Sequence, residues 1–168
     1  TTFATDVSST QTGTLAIATS DGGCCSGPLA GYKNGIRGNV TGALQKYVFA
    51  TDVSATNIGA LSFNNNDRAH TCASETHGYV QGGNGSDVIE SFLFSNETTK
   101  TDVGNLVTGI DYSQSCSSTT HGYNMRGTGT DNGTRIQRYS FASQSEDAGQ
   151  TSLTGTATGQ NGVSNGQE

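Results

Sequence analysis

The chain writes nearly the same phrase twice: SETHGYVQGG at Ser74–Gly83 and STTHGYNMRG at Ser118–Gly127. A shared Thr-His-Gly-Tyr core is open to three readings: a metal site, a catalytic histidine, or the mark of a repeating structural unit. Aligning the chain with itself favours the third. Four segments fall into register, beginning TTFATDVSSTQTG at Thr1, YVFATDVSATNIG at Tyr47, FLFSNETTKTDVG at Phe92 and YSFASQSEDAG at Tyr139. Phe3, Phe49, Phe94 and Phe141 share one position, at steps of 46, 45 and 47 residues. Gly13, Gly59, Gly104 and Gly149 share another, at steps of 46, 45 and 45. Tyr32, Tyr79 and Tyr123 share a third, each seven residues after Cys25, Cys72 or Cys116. The period is detected within this sequence and needs no other.

Each unit reads as four short strands. In the second, these are GALSF (59–63), AHTCAS (69–74), THGYVQGG (76–83) and VIESFLFS (88–95), with the polar loop NGSD before the last. Phe92 and Phe94 stand two apart and fall on one face of a strand; Tyr47 with Phe49 and Tyr139 with Phe141 match them. Such a sheet cannot cover its own faces, so the units must stack to bury their rings. A period in the mid-forties matches the blades of a β-propeller. The expected fold is therefore all-β: a propeller of about four four-stranded blades, the N- and C-terminal strands completing one of them, or otherwise an open stack or solenoid of antiparallel sheets. The whole of 1–168 reads as a single repeat domain, with units at about 1–46, 47–91, 92–138 and 139–168.

Composition agrees. Of 168 residues, 31% are hydrophobic and 13% charged, with 24 Gly, one Pro and no Trp. A thin core with abundant polar turns suits many short strands. No window holds a helical apolar stripe. The net charge of −6 and the scattered basic residues argue against nucleic-acid binding. No apolar run is long enough to insert in a membrane as a helix. The first residue is Thr1 rather than Met, as in a processed product or a piece of a longer chain.

Order of strands, aromatic strand and Gly-Tyr-x-x-Gly-Gly segment together resemble kelch-type propeller repeats, without the Trp usual in that family. More specifically, FATDVSATNIGALS, THGYVQGG and VIESFLFS resemble repeats in tail-fibre and other appendage proteins of marine bacteriophages, including cyanophages. The resemblance spans nearly the whole chain and is weakest at Asp21–Gly38 and after Leu153. It implies a non-enzymatic structural or adhesive module of a virion appendage, located on the virion or outside the cell. Its partners would be other copies, other virion proteins and host surface glycans. The alternatives are a secreted carbohydrate-binding or cell-surface propeller and a glycosidase-like propeller enzyme.

Candidate chemistry is sparse. His77 and His121 occupy one register, which holds Ala30 in the first unit, and neither Cys-x-x-Cys nor His-x-x-x-His spacing occurs. Their expected role is to hold a turn while the tyrosine packs. No catalytic, cofactor or metal residue is assigned, and no cofactor is expected. Cys24, Cys25, Cys72 and Cys116 read as free thiols, three of them filling a buried repeat position, with disulfides the alternative. Sequons at Asn39, Asn84, Asn96 and Asn132 are of the number that a chain rich in Ser and Thr yields by chance. The stretch TDNGTR (130–135) resembles the Asp-box turns of sialidase propellers but lacks their aromatic partner, and an Asn-Gly hairpin turn is expected there. NGSD and TDNG also carry oxygens suited to Ca²⁺, without a full loop pattern. The loops NGIRGN, GGNGSD and GTGTDNGT form the expected contact surface.

Overall fold

Three antiparallel sheets stand one behind another in the computed structural model, which describes residues 11–19, 21–37, 40–51, 53–62, 68–125, 134–146 and 151–152. Every element among these residues is a strand. Sheet I is the meander β1 (Cys24–Ser26), β2 (Ala30–Arg37), β3 (Val40–Val48) and β4 (Thr56–Ala60). Sheet II repeats it with β5 (His70–Ala73), β6 (His77–Gln81), β7 (Val88–Leu93) and β8 (Asn96–Asn105). Sheet III has β9 (Gln114–Ser117), β10 (His121–Met125), β11 (Arg135–Ser140) and β12 (Ser145–Glu146), while β13 (Thr151–Ser152) adds a second pairing to β11. The first strands β1, β5 and β9 lie next to one another, so the sheets fan out from a common edge. They do not close into a ring among the described residues. Of the fourth unit, 139–168, only 139–146 and 151–152 lie within the described residues, so the blade expected from the chain's two ends falls outside them.

Strand period decides which face each side chain takes. Glu90 and Phe92 on β7, with Phe94 just past its end, alternate to one face, which we call the back; Gln45 and Tyr47 on β3 with Phe49 past its end, and Gln137 and Tyr139 on β11 with Phe141 past its end, share that register. On the opposite, forward face the pairs Tyr32↔Lys46 and Cys25↔Tyr32 align side by side, as do Tyr79↔Ser91 and Cys72↔Tyr79. The forward face of each sheet meets the back face of the next. Tyr32 lies 5.1 Å from the centroids of both Phe92 and Phe94, stacked on the latter. Tyr79 lies 5.6 Å from Tyr139 and 4.8 Å from Phe141, again stacked on the second ring. Two apolar clusters follow: one gathers Tyr32, Leu44, Leu61, Val80 and Phe92, the other Cys72, Tyr79, Ile89, Leu106, Ile110 and Tyr139.

The back face also carries a buried polar column that fixes the connections between sheets. Gln45 accepts from the Ile17 N–H and donates to the Ile17 carbonyl, both at 2.9 Å. Gln137 makes the same pair with Thr108, at 3.3 and 3.4 Å. At the middle position stands Glu90, fully buried, and both of its oxygens accept from the Ser62 N–H at 2.9 Å. Each side chain clamps the backbone that enters its own sheet. These three side chains are themselves buried, and a buried polar group left without its bond costs more than the bond contributes.

Two expectations need adjusting. GALSF (59–63) is not the opening strand of a unit: β4 ends at Ala60, and Leu61 turns away by donating its N–H to the Gly42 carbonyl. The strand that completes sheet II is instead the long β8, Asn96–Asn105, whose side chains are mostly solvated. An edge strand in water has no need of apolar alternation, which is why NETTKTDVGN carries no strand pattern in the sequence.

Replacing Glu90 with Ala should lower stability by about 1–3 kcal/mol in urea unfolding, because the Ser62 N–H loses the carboxylate that accepts it. Glu90→Gln, which restores the amide found at the other two positions, should unfold at or above the wild-type midpoint. An Ala variant as stable as wild type would remove the clamp from the account.

Candidate functional site

The Thr-His-Gly-Tyr phrase builds a turn and an interface, residue by residue. The Ser74 N–H donates to the His77 carbonyl at 2.9 Å, and Ser118 does the same to His121 at 2.9 Å. In both copies the serine Oγ accepts the histidine N–H at 3.1 Å. The preceding threonine hydroxyl meets the histidine Nδ1 at 2.8 Å in each. In the first unit Gly27–Ala30 makes the equivalent turn, with the Gly27 N–H donating to the Ala30 carbonyl at 2.9 Å. Glycine follows because a ring lies against it: a methyl on Gly78 would drive into the Phe92 ring, and one on Gly122 would meet Cys72 Sγ. Tyrosine then packs into the next sheet. Both histidines are thus tied into turns, and burial lowers the His77 pKa, which favours the neutral imidazole.

Among the described residues no group of three or more His, Cys, Asp or Glu gathers to hold a metal ion. The loop GGNGSD (82–87) is a tight β6–β7 turn, with positive φ at Gly82, Gly83, Asn84 and Gly85 and the Gly85 N–H donating to Asp111 Oδ1 at 3.0 Å. NGIRGN lies partly outside the described residues, and GTGTDNGT, with TDNGTR, nearly wholly so. Asn84 and Asn96 are exposed, whereas Asn39 and Asn132 fall outside.

All four cysteines are free. Burial pushes the Cys25 thiol up to about 12, with Cys24 adding to the shift and a Thr71 hydrogen bond opposing it. Burial also raises Cys72 well above its ordinary range and raises Cys116. Thiols held protonated are poor nucleophiles and poor metal ligands.

What remains is a surface groove of about 330 Å³ between sheets II and III. One wall is the Ser74–His77 turn with Tyr79; the other is Thr119 and Thr120 with the Phe141–Gln144 turn. It offers the stacked rings of Tyr79 and Phe141, the Glu75 carboxylate, the Gln144 amide and several hydroxyls. The corresponding turn of sheet I carries Pro28 and Leu29, the latter 78% exposed, in place of Glu75 and Thr76. The groove was not legible in advance, since the sequence expectation placed recognition on the β2–β3, β6–β7 and β10–β11 loops at the opposite end of the sheets. The signal lay in SETH itself, whose Glu and Thr occupy the exposed corners of the turn.

Comparison with known proteins adds no assignment: no family model matches the chain, and no curated protein does.

His70, at the start of β5, is the most strongly perturbed imidazole. Burial, with nearby Lys33 adding, lowers it from 6.5 to about 4. The unfolded chain therefore takes up this proton below about pH 6.5, while the fold refuses it until about pH 4. Stability should be full above the upper value and fall by up to about 3 kcal/mol between the two, at about 1.4 kcal/mol per pH unit. Thermal melts of wild type and His70→Asn over that window should show the difference closing as pH falls. A constant difference would contradict it.

Proposed function

We propose that this chain is a non-enzymatic structural and adhesive module of a virion appendage, a tail fibre or capsid fibre. Its sheets act as β-propeller-type blades, and it contacts host surface glycans. Kelch-like and phage-appendage resemblance of the repeat supports the setting. The observation that carries the adhesive role is the groove between the Ser74–His77 and Phe141–Gln144 turns. An aromatic ring beside planar carboxylate and amide groups suits a pyranose, whose C–H face packs on the ring while its hydroxyls pair with the polar groups. Stacked sheets hold the two walls, so the ligand meets a preformed surface. The histidines and thiols that could have served chemistry are engaged in turns and core contacts, which fits binding rather than turnover.

The test is a glycan panel read by titration calorimetry. Binding to at least one saccharide is expected, weakened about tenfold by Glu75→Ala or Gln144→Ala, each of which removes a hydrogen bond from an exposed side chain. Both residues lie outside the apolar clusters, so the fold should survive their loss. Absence of binding across the panel, or hydrolysis of any member, would overturn the proposal.

A further inference from the structure

The internal interface has a direction, and its two complementary halves recur on the outermost sheets. At both junctions the forward face contributes one tyrosine, and the next back face contributes an aromatic pair that receives it. Sheet III carries the inserting half again, as Tyr123 beside Cys116. Sheet I carries the receiving half again, as Tyr47 and Phe49, whose rings lie 6.5 Å apart.

Burial sets these outer halves apart from their inner equivalents. Tyr32 and Tyr79 are only 4% and 1% exposed, and Cys72 only 3%. Tyr123 and Cys116, at the same positions on sheet III, are no more than half-buried. On the receiving side, Phe92 and Tyr139 are each 1% exposed, whereas Tyr47 is half-buried. Phe49 is 48% exposed, while its equivalents Phe94 and Phe141 are half-buried. Ile17 already occupies on sheet I the place that Ser62 takes on sheet II: Ile17 answers Gln45 as Ser62 answers Glu90. The receiving face is therefore furnished with its connection and still leaves its outer ring open.

We infer that a second copy of this chain docks head to tail, Tyr123 of one copy inserting against Tyr47 and Phe49 of the other. The two faces differ in kind, so the contact is heterologous, and it continues the interface already made twice within the chain. Contacts of this type close into a ring or run on as an array, according to the rotation between copies. Both outcomes serve an appendage built of stacked units. The inference extends the repeat-module reading and is independent of the saccharide groove, so either can fail alone.

Sedimentation velocity from micromolar to millimolar protein tests it. Wild type should grow beyond the 17.3 kDa monomer as concentration rises. Tyr123→Arg keeps only the receiving face and Phe49→Arg only the inserting face, so each alone should stay monomeric. Mixed in equal amounts, they should form a discrete dimer that adds no further copies. That complementation also shows that both variants are folded. A wild type that stays monomeric throughout would overturn the inference and point to closure by the chain's own terminal strands. So would variants that associate as wild type does, or a mixture that stays monomeric.

Discussion

A tyrosine ring laid against two aromatic rings of the following sheet is the contact on which the rest depends. A single meander of this composition has too few apolar residues to hold itself together, and its two faces would stand in water. Stacking solves this with three rings per junction. Each aromatic pair is worth about 0.5–1.5 kcal/mol beyond the area it buries. The contact also dictates its neighbours. A ring lying across β6 leaves no room for a side chain at Gly78, and the tight turn that starts the strand must be held from outside by Ser74 and Thr76. The buried Gln45, Glu90 and Gln137 then anchor the incoming backbone to the ring-bearing strand.

That economy explains why residues with chemical potential are so quiet here. A histidine bonded to its neighbouring threonine secures a hairpin, and a thiol in a desolvated column behaves as a small apolar group. Charge is used sparingly in the same way: Lys46 of sheet I meets Glu97 of sheet II at 2.7 Å, and Glu97 also accepts the Tyr32 hydroxyl at 2.6 Å. The bridge therefore steadies the very ring that joins the two sheets. Among the described residues no carboxylate answers Tyr79 or Tyr123 in this way, so the surroundings of the contact vary more than the contact itself.

How far the fold was legible follows from these forces. The rings, the glycines and the tyrosine positions announced themselves because stacking repeats them at a nearly constant period. VIESFLFS was legible because β7 is buried on both faces and so carries a mainly apolar run with its rings two apart. The outer strand β8 was not, because solvent imposes no pattern on it. The polar column was missed for a different reason. Gln45, Glu90 and Gln137 look like surface residues in isolation, yet each stands two before the inner aromatic of its strand, and a period of two places it on the same buried face. Register, had it been followed through polar positions as well as apolar ones, contained that answer. The groove was illegible because it exists only where two sheets meet, from residues forty or more apart in the chain.

A double-mutant cycle across one junction tests the central contact most directly. Tyr79→Leu and Phe141→Leu, singly and together, should show a coupling of about 0.5–1.5 kcal/mol in chemical unfolding. The non-touching pair Tyr32→Leu and Phe141→Leu should show a coupling near zero. Additive losses for Tyr79 and Phe141, or equal coupling for both pairs, would contradict a structure joined through these rings.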